Sequence, residues 1–182
     1  MLTGGRSSRM GKNKALIDID GTPLALRVAE EAGRFCDSVS LVGDPALYGT
    51  LGLKVVSDTF PGQGPLAGIE AALGATAVDW NLMVGCDMPA LGSAATEQLF
   101  DLNADCALPE YEDGRVEPLC AVYHRRCRAP IRAALESGIR RVTDALRRLE
   151  ADGCAVRYAP VSNAEPFANL NTPDEVQKYL NG

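Results

Sequence analysis

The sequence predicts an α/β fold, with layers of helix packed on a mostly parallel sheet. Short apolar strand segments alternate with helical ones along the chain, the arrangement that parallel sheets with crossover helices require. The length of 182 residues and the 46% hydrophobic content suit one domain, residues 1–182, with a substantial core. The unusual loops all follow strand segments: after Leu2, after Val56 and after Val84. In open α/β sheets, ligands bind outside the carboxyl ends of the strands.

Taken in order, residues 1–2 end a strand that runs into the basic, glycine-bearing loop TGGRSSRMGKNK. GTPLALRVAEEAGRF predicts a helix capped by Thr22, with Pro23 in its first turn. Leu24, Val28, Ala32 and Phe35 fall near one face of that helix. SVSLVGD and LKVVSD read as strands, the second ending at Asp58. FPGQGPLAG leads into the short helix IEAALGA. WNLMVGCDMP is an apolar strand running into Asp87 and Pro89. Ser93 caps a helix through Phe100, and residues 105–123 form two strands around the Asp113-Gly114 turn. Helices follow near 128–137 and 141–150, then the strand CAVRYAPV. TPDE is a capping box that opens a C-terminal helix.

Composition excludes several classes. A net charge of −6 argues against bulk nucleic-acid binding. No apolar run reaches the ~20 residues of a membrane helix, and basic residues interrupt the first stretch, so no signal peptide is visible. The six cysteines form no C-x-x-C, and the single histidine, His124, completes no zinc pattern. Reduced, mostly buried thiols in a cytoplasmic protein are expected. Two stretches are locally basic. One is residues 1–14. The other is residues 123–150, with arginines at 125, 126, 128, 132, 140, 141, 147 and 148. Such patches on an acidic protein suit a small anionic ligand, although most of the second group is expected to be a solvated helix face.

Gly4 and Gly5 after a strand allow close backbone approach to a ligand, with Arg9 and Lys14 adding positive charge; phosphate is the natural guest. A basic surface turn is the plainer alternative. The loop is neither G-x-x-x-x-G-K-[ST] nor G-x-G-x-x-G. Asp87, at a strand end, suits a divalent cation between phosphate oxygens, or else a turn. Asp58 suits hydrogen bonds from a sugar or base, or again a turn.

In combination, LTGGRSSRMGKNK, VVSDTFPGQGPLAGI, VGCDMPAL, EPLCAVY and FANLNTPDEV resemble the molybdenum cofactor guanylyltransferase family of MobA-like nucleotidyltransferases. The motifs keep that family's order and span residues 2 to 176. The first matches the specific form L-x-G-G-x-S-x-R-M-G-x-x-K, and GPLAG, CDMP and N-x-N-T-P strengthen it. The resemblance implies a three-layer, Rossmann-like nucleotide-diphospho-sugar-transferase fold. It implies transfer of GMP from GTP to the phosphate of molybdopterin carrying molybdenum, with release of pyrophosphate and with Mg²⁺ as cofactor. It also implies a cytoplasmic protein in transient contact with cofactor insertion or delivery proteins, and no nucleic-acid or membrane partner.

Carried over by residue, the resemblance gives Leu2, Thr3, Gly4 and Gly5 main-chain contacts to the nucleotide. It sets Arg9 and Lys14 at the phosphates, Asp58 at the guanosine, Asp87 on magnesium, and Gly64 and Gly68 along the base pocket. Asn169 and Asn171, with Arg141, lie toward the pterin. Thr3 stands where the family more often has Ala, and Gly43 where relatives can present Asn. Gly4-Gly5 and GPLAG favour guanine over cytosine nucleotides. A cytidylyltransferase, a sugar-phosphate nucleotidyltransferase and a non-catalytic nucleotide or pterin carrier remain the competing readings. The first strand is nearly absent: only Met1 and Leu2 precede the loop, where relatives carry several more apolar residues. The expectation is that coding begins further upstream, with Met1 read from a GTG codon in place of Val. A genuine loss of the strand would leave neighbouring backbone groups unpaired.

Overall fold

The computed structural model describes residues 1–3, 13–89, 91–161, 170 and 175. The strands are β1 (Asp18–Ile19), β2 (Thr22–Pro23), β3 (Ser40–Val42), β4 (Lys54–Val56), β5 (Trp80–Val84), β6 (Cys106–Tyr111), β7 (Cys120–His124) and β8 (Val156–Val161). The helices are α1 (Leu24–Ala32), α2 (Pro45–Tyr48), α3 (Pro65–Gly74), α4 (Ser93–Asp101), α5 (Arg128–Glu136) and α6 (Val142–Ala151).

Two ladders make the main sheet. β3 pairs parallel with β4, and a second ladder runs β5-β7-β6-β8. Leu2 joins them, bridging in parallel to Val42 on one side and to Gly85 on the other. Its amide donates to Val84 O at 2.8 Å, its carbonyl accepts from Cys86 N at 3.1 Å, and Val42 N donates to Met1 O at 2.8 Å. The order is therefore β4-β3-Leu2-β5-β7-β6-β8. β7 runs antiparallel to both neighbours, and β6 and β8 are parallel. This is the mixed, mostly parallel sheet that the alternation of elements predicts.

Side chains alternate across the sheet, as the two-residue period of a strand requires. Val42, Met83, Ala121 and Tyr123 face a core built with Leu66, Ile69, Leu73, Ile131, Leu135, Leu146 and Leu149 from α3, α5 and α6. Leu41, Val84 and Cys120 face the other way, onto Leu24 and Val28 of α1. Leu99 of α4 covers Ala107, Val122 and Ala159 on that second side. Helices on both faces give the three layers.

Local structure departs from the sequence reading at two helix starts. Thr22 does not cap α1. It pairs with Ile19 in the β1–β2 hairpin, and Pro23 takes the cap position without a side-chain hydrogen bond. Asp20 (φ 51) and Gly21 (φ +80) turn that hairpin. An Asp-Gly pair suits a tight two-residue turn because both positions need positive φ. Helix α4 begins at Ser93 with Gly92 at its cap. The turn at Asp113-Gly114 is as expected, with Gly114 N donating to Tyr111 O at 2.9 Å and Tyr111 N to Arg115 O at 2.8 Å. The TPDE capping box lies outside the described residues, Glu175 apart.

Candidate functional site

The strands before the three loops singled out in the sequence end at the same side of the sheet, because Leu2 runs parallel to β3 and to the end of β5, and β4 runs parallel to β3. Thr3 ends the central strand. It is 4% exposed, and its amide and hydroxyl both donate to Val42 O, at 3.1 and 2.7 Å. Tyr48, from α2, donates its hydroxyl to Thr3 O at 3.0 Å and accepts from Asn13 Nδ2 at 2.8 Å. Asn13 Oδ1 in turn accepts from Ala15 N at 3.1 Å, capping the short helical turn Lys14–Leu16.

That turn carries Lys14 to Asp87. Lys14 Nζ lies 3.3 Å from Asp87 Oδ2, and the two side chains keep 18% and 23% of their surface exposed. Both charges are therefore shielded yet reachable. A Cβ at Gly85 would meet Asp87 Oδ1 at 2.7 Å, so the carboxylate folds back over the strand end. Between them, the buried Cys86 thiol is pushed up to about 12, by burial first and then by the Asp87 charge. It stays protonated at neutral pH and is no nucleophile. Leu170 donates its amide to Asp87 O at 2.8 Å.

Asp58 follows β4 and is partly buried. It accepts from Phe60 N at 2.9 Å, the turn-forming alternative weighed for it. Burial raises its carboxyl above the ordinary value, the Phe60 hydrogen bond opposes this, and the Glu70 charge adds to it. Gly64, at φ +79, caps α3; among the described residues, a Cβ there would meet only Arg140 O, at 3.9 Å. Gly68, expected along the base pocket, has a packing role in α3. It is buried in α3, and a Cβ there would meet Leu2 Cδ2 at 3.0 Å and Val42 Cγ1 at 3.8 Å. Its missing side chain lets α3 press against the sheet.

Gly4, Gly5, Arg9, Asn169 and Asn171 lie outside the described residues. Arg141 is exposed at the cap of α6. His124 has a structural setting: its Nδ1 accepts from Arg126 N at 3.1 Å and its ring meets Trp80 edge-on at 4.9 Å. The basic stretch is mostly solvated, as expected: of its arginines only Arg128 is not exposed. Arg128 and Arg132 reach the fully buried Glu70 at 3.0 and 3.5 Å, and Arg126 pairs with Asp105. All six cysteines are free, and only Cys36 is not buried.

Sequence reasoning passed over Asn13 and Tyr48. Asn13 offered a signal, an Asn before a short apolar turn; Tyr48 offered none. No group of three or more His, Cys, Asp or Glu side chains fit to hold a metal occurs among the described residues. Asp87 presents a carboxylate oxygen beside the ammonium. Such a pair suits an anion carrying a hard cation, since magnesium is commonly held by one or two carboxylates with substrate oxygens and water completing its shell. Among the described residues, no helix is long and apolar enough to cross a membrane.

Residues 1–151 match the MobA-like NTP transferase domain. The molybdenum cofactor guanylyltransferase of Yersinia pseudotuberculosis is 36% identical, over 95% of this chain and 89% of that protein. That of Vibrio atlanticus is 32% identical, over 98% and 93%. The crystal structure of molybdopterin-guanine dinucleotide biosynthesis protein A from Archaeoglobus fulgidus superposes with a TM-score of 0.78 at 26% identity, covering 99% of this chain and 95% of that one.

Proposed function

This chain belongs to the MobA-like NTP transferase family, and from that premise we propose that it transfers GMP from GTP to the phosphate of molybdopterin carrying molybdenum. The products are molybdopterin guanine dinucleotide and pyrophosphate. The observation that carries the reading is the half-buried Lys14–Asp87 pair at the carboxyl ends of the central strands. The full-length likeness to relatives named for this activity supports it.

In this reaction a phosphate oxygen of the pterin attacks the α-phosphorus of GTP, and the bond from that phosphorus to the β-phosphate bridge breaks. Both reactants are anions, so positioning and charge neutralisation are the main tasks. Lys14, with Arg9, neutralises α- and β-phosphate charge. The backbone of residues 2–5 holds the nucleotide, and Asp58 and Gly64 border the guanosine. Asn169 and Asn171 serve the pterin; they flank in the chain Leu170, whose amide donates to Asp87 O. No general base is required, because a phosphate monoester is already ionised at neutral pH. Asp87 is the residue that would hold Mg²⁺; when bound, the ion stabilises charge on the phosphates and the leaving pyrophosphate. On this reading the whole chain is one transferase domain working in the cytoplasm, where GTP is supplied, and it passes its product to cofactor insertion proteins.

The test combines thermal melts with turnover. A ligand at ~100 times its dissociation constant adds about 2.7 kcal/mol, roughly 5–10 °C for a chain of this size. GTP with Mg²⁺ should raise the melting temperature, while CTP, ATP and UTP should not. Pyrophosphate release should require both GTP and the molybdenum-bearing pterin. A shift selective for CTP overturns the guanine assignment. A GTP shift without pyrophosphate release in the presence of the pterin overturns catalysis.

A further inference from the structure

Tyr48 is 4% exposed and belongs to the short helix that follows β3. Its hydroxyl makes both hydrogen bonds its chemistry suits: it donates to Thr3 O at 3.0 Å and accepts from Asn13 Nδ2 at 2.8 Å. Thr3 and Asn13 flank the basic loop on either side. Asn13 spends its other amide atom on Ala15 N at 3.1 Å, fixing the turn that presents Lys14 to Asp87 at 3.3 Å. One phenol thus links the end of the central strand to the start of the turn that carries the cation.

The seat of the ring is specific. A Cβ at Gly43 would lie 2.6 Å from Tyr48 Cε2 and 2.5 Å from Thr3 Oγ1. No real Cβ tolerates such contacts, so the ring occupies its place because residue 43 has no side chain. Thr3, Gly43 and Tyr48 therefore form one packing unit.

We infer that Tyr48 is a positioning residue for Lys14, acting through Asn13. The inference rests on the transferase reading for its catalytic consequence. Lysine is a point charge on a long flexible stem. A fixed backbone turn narrows the volume its ammonium samples, and a misplacement near 1 Å can cost up to about 10²-fold in rate. Without the hydroxyl, Thr3 O and one Asn13 N–H both lose their partner, and the turn loses its tie to the strand.

Tyr48→Phe keeps the ring in its seat and removes the hydroxyl. Its comparison is Ile131→Val, a small truncation in the core on the other face of the sheet. Hydrogen exchange at the Ala15 amide should rise about tenfold or more in Tyr48→Phe relative to Ile131→Val. kcat/KM for GTP should fall about tenfold. The loss should vanish on a Lys14→Ala background, where there is no ammonium left to position. Gly43→Ala, which displaces the ring, should reproduce both effects. Unchanged exchange at Ala15 overturns the inference. So does a catalytic loss that persists in full without Lys14. If the wild-type chain turns over no GTP, the transferase reading falls, and exchange at Ala15 still decides whether Tyr48 holds the turn.

Discussion

Lys14 and Asp87 are 73 residues apart in the chain, and their charged atoms are 3.3 Å apart in the fold. The central position of Leu2 brings them together, since the chain leaves the sheet there next to the end of β5. An ammonium and a carboxylate held this way can receive a triphosphate carrying a cation, with Lys14 turning from Asp87 to the phosphates. Removing Asp87 should abolish turnover: Asp87→Ala should lose about 10³-fold or more in kcat/KM, while Lys14→Ala should lose on the order of 2–4 kcal/mol of transition-state stabilisation. Neither group is in the apolar core, so both melting curves should stay close to wild type. Steady-state pyrophosphate release beside thermal melts checks this, and near-normal turnover in Asp87→Ala would end the metal-holding role.

The layers were legible because apolar runs and their spacing report burial directly. The strands at β3, β4, β5 and β8 and the helices α5 and α6 sit where that pattern puts them, while α3 begins at Pro65, inside the stretch read as a loop before IEAALGA. The β1–β2 hairpin was missed although Asp20-Gly21 signalled it, because Thr22 and Pro23 also fit a helix start. The pairing of Lys14 with Asp87 was not legible from spacing at all; only topology produces it. Tyr48 was invisible for the same reason, since its two partners come from either side of the opening loop. Gly68 was read as lining a pocket, and its close packing on Leu2 came only with the placement of α3.

Glu70 shows the same limit from the side of stability. It is fully buried in α3, and Arg128 and Arg132 of α5 approach its Oε1 at 3.0 and 3.5 Å. Nothing in the sequence signals that these partly exposed arginines reach a buried acid, because which side of α5 meets α3 is a tertiary fact. Arg128→Ala should destabilise by about 3 kcal/mol, near the lower end for breaking a buried pair, because Arg132 still serves the carboxylate. Glu70→Gln should cost less, since the partly exposed guanidinium groups can return to water. The double variant should be less destabilised than the sum of the two, as urea unfolding of all four proteins would measure.

Asp58 gives a prediction in pH. Burial lifts its carboxyl above 3.8, against the Phe60 amide and with help from the Glu70 charge. The folded chain then holds this proton to higher pH than the unfolded chain. Stability from this group is full below the ordinary carboxylate value, falls as pH rises through the folded value, and is level beyond it. Asp58→Asn keeps an oxygen for Phe60 N and carries no charge. At neutral pH it should melt at or above the wild-type temperature, and the gap should close as pH falls below about 4. Its melting shift with GTP should shrink, because the carboxylate proposed to meet the guanosine is gone. A wild-type advantage that grows with pH would contradict burial as the dominant influence.

Gly68 separates packing from ligand contact. A methyl group at this position would lie 3.0 Å from Leu2 Cδ2, and Leu2 is held by hydrogen bonds to Val84 and Cys86. The contact falls within a packed interior: α3 is packed on its buried face by Leu66, Ile69 and Leu73, and Leu2 is itself buried. Overpacking of this kind costs about 1–3 kcal/mol. Gly68→Ala should therefore lower the melting temperature by several degrees with and without GTP, leaving the nucleotide-induced shift nearly intact. If Gly68 instead bordered the base, the same substitution would spare the apo melt and abolish the shift. Melting each protein alone and with GTP and Mg²⁺ distinguishes the two, because packing acts on both states of the protein and a base contact on only one.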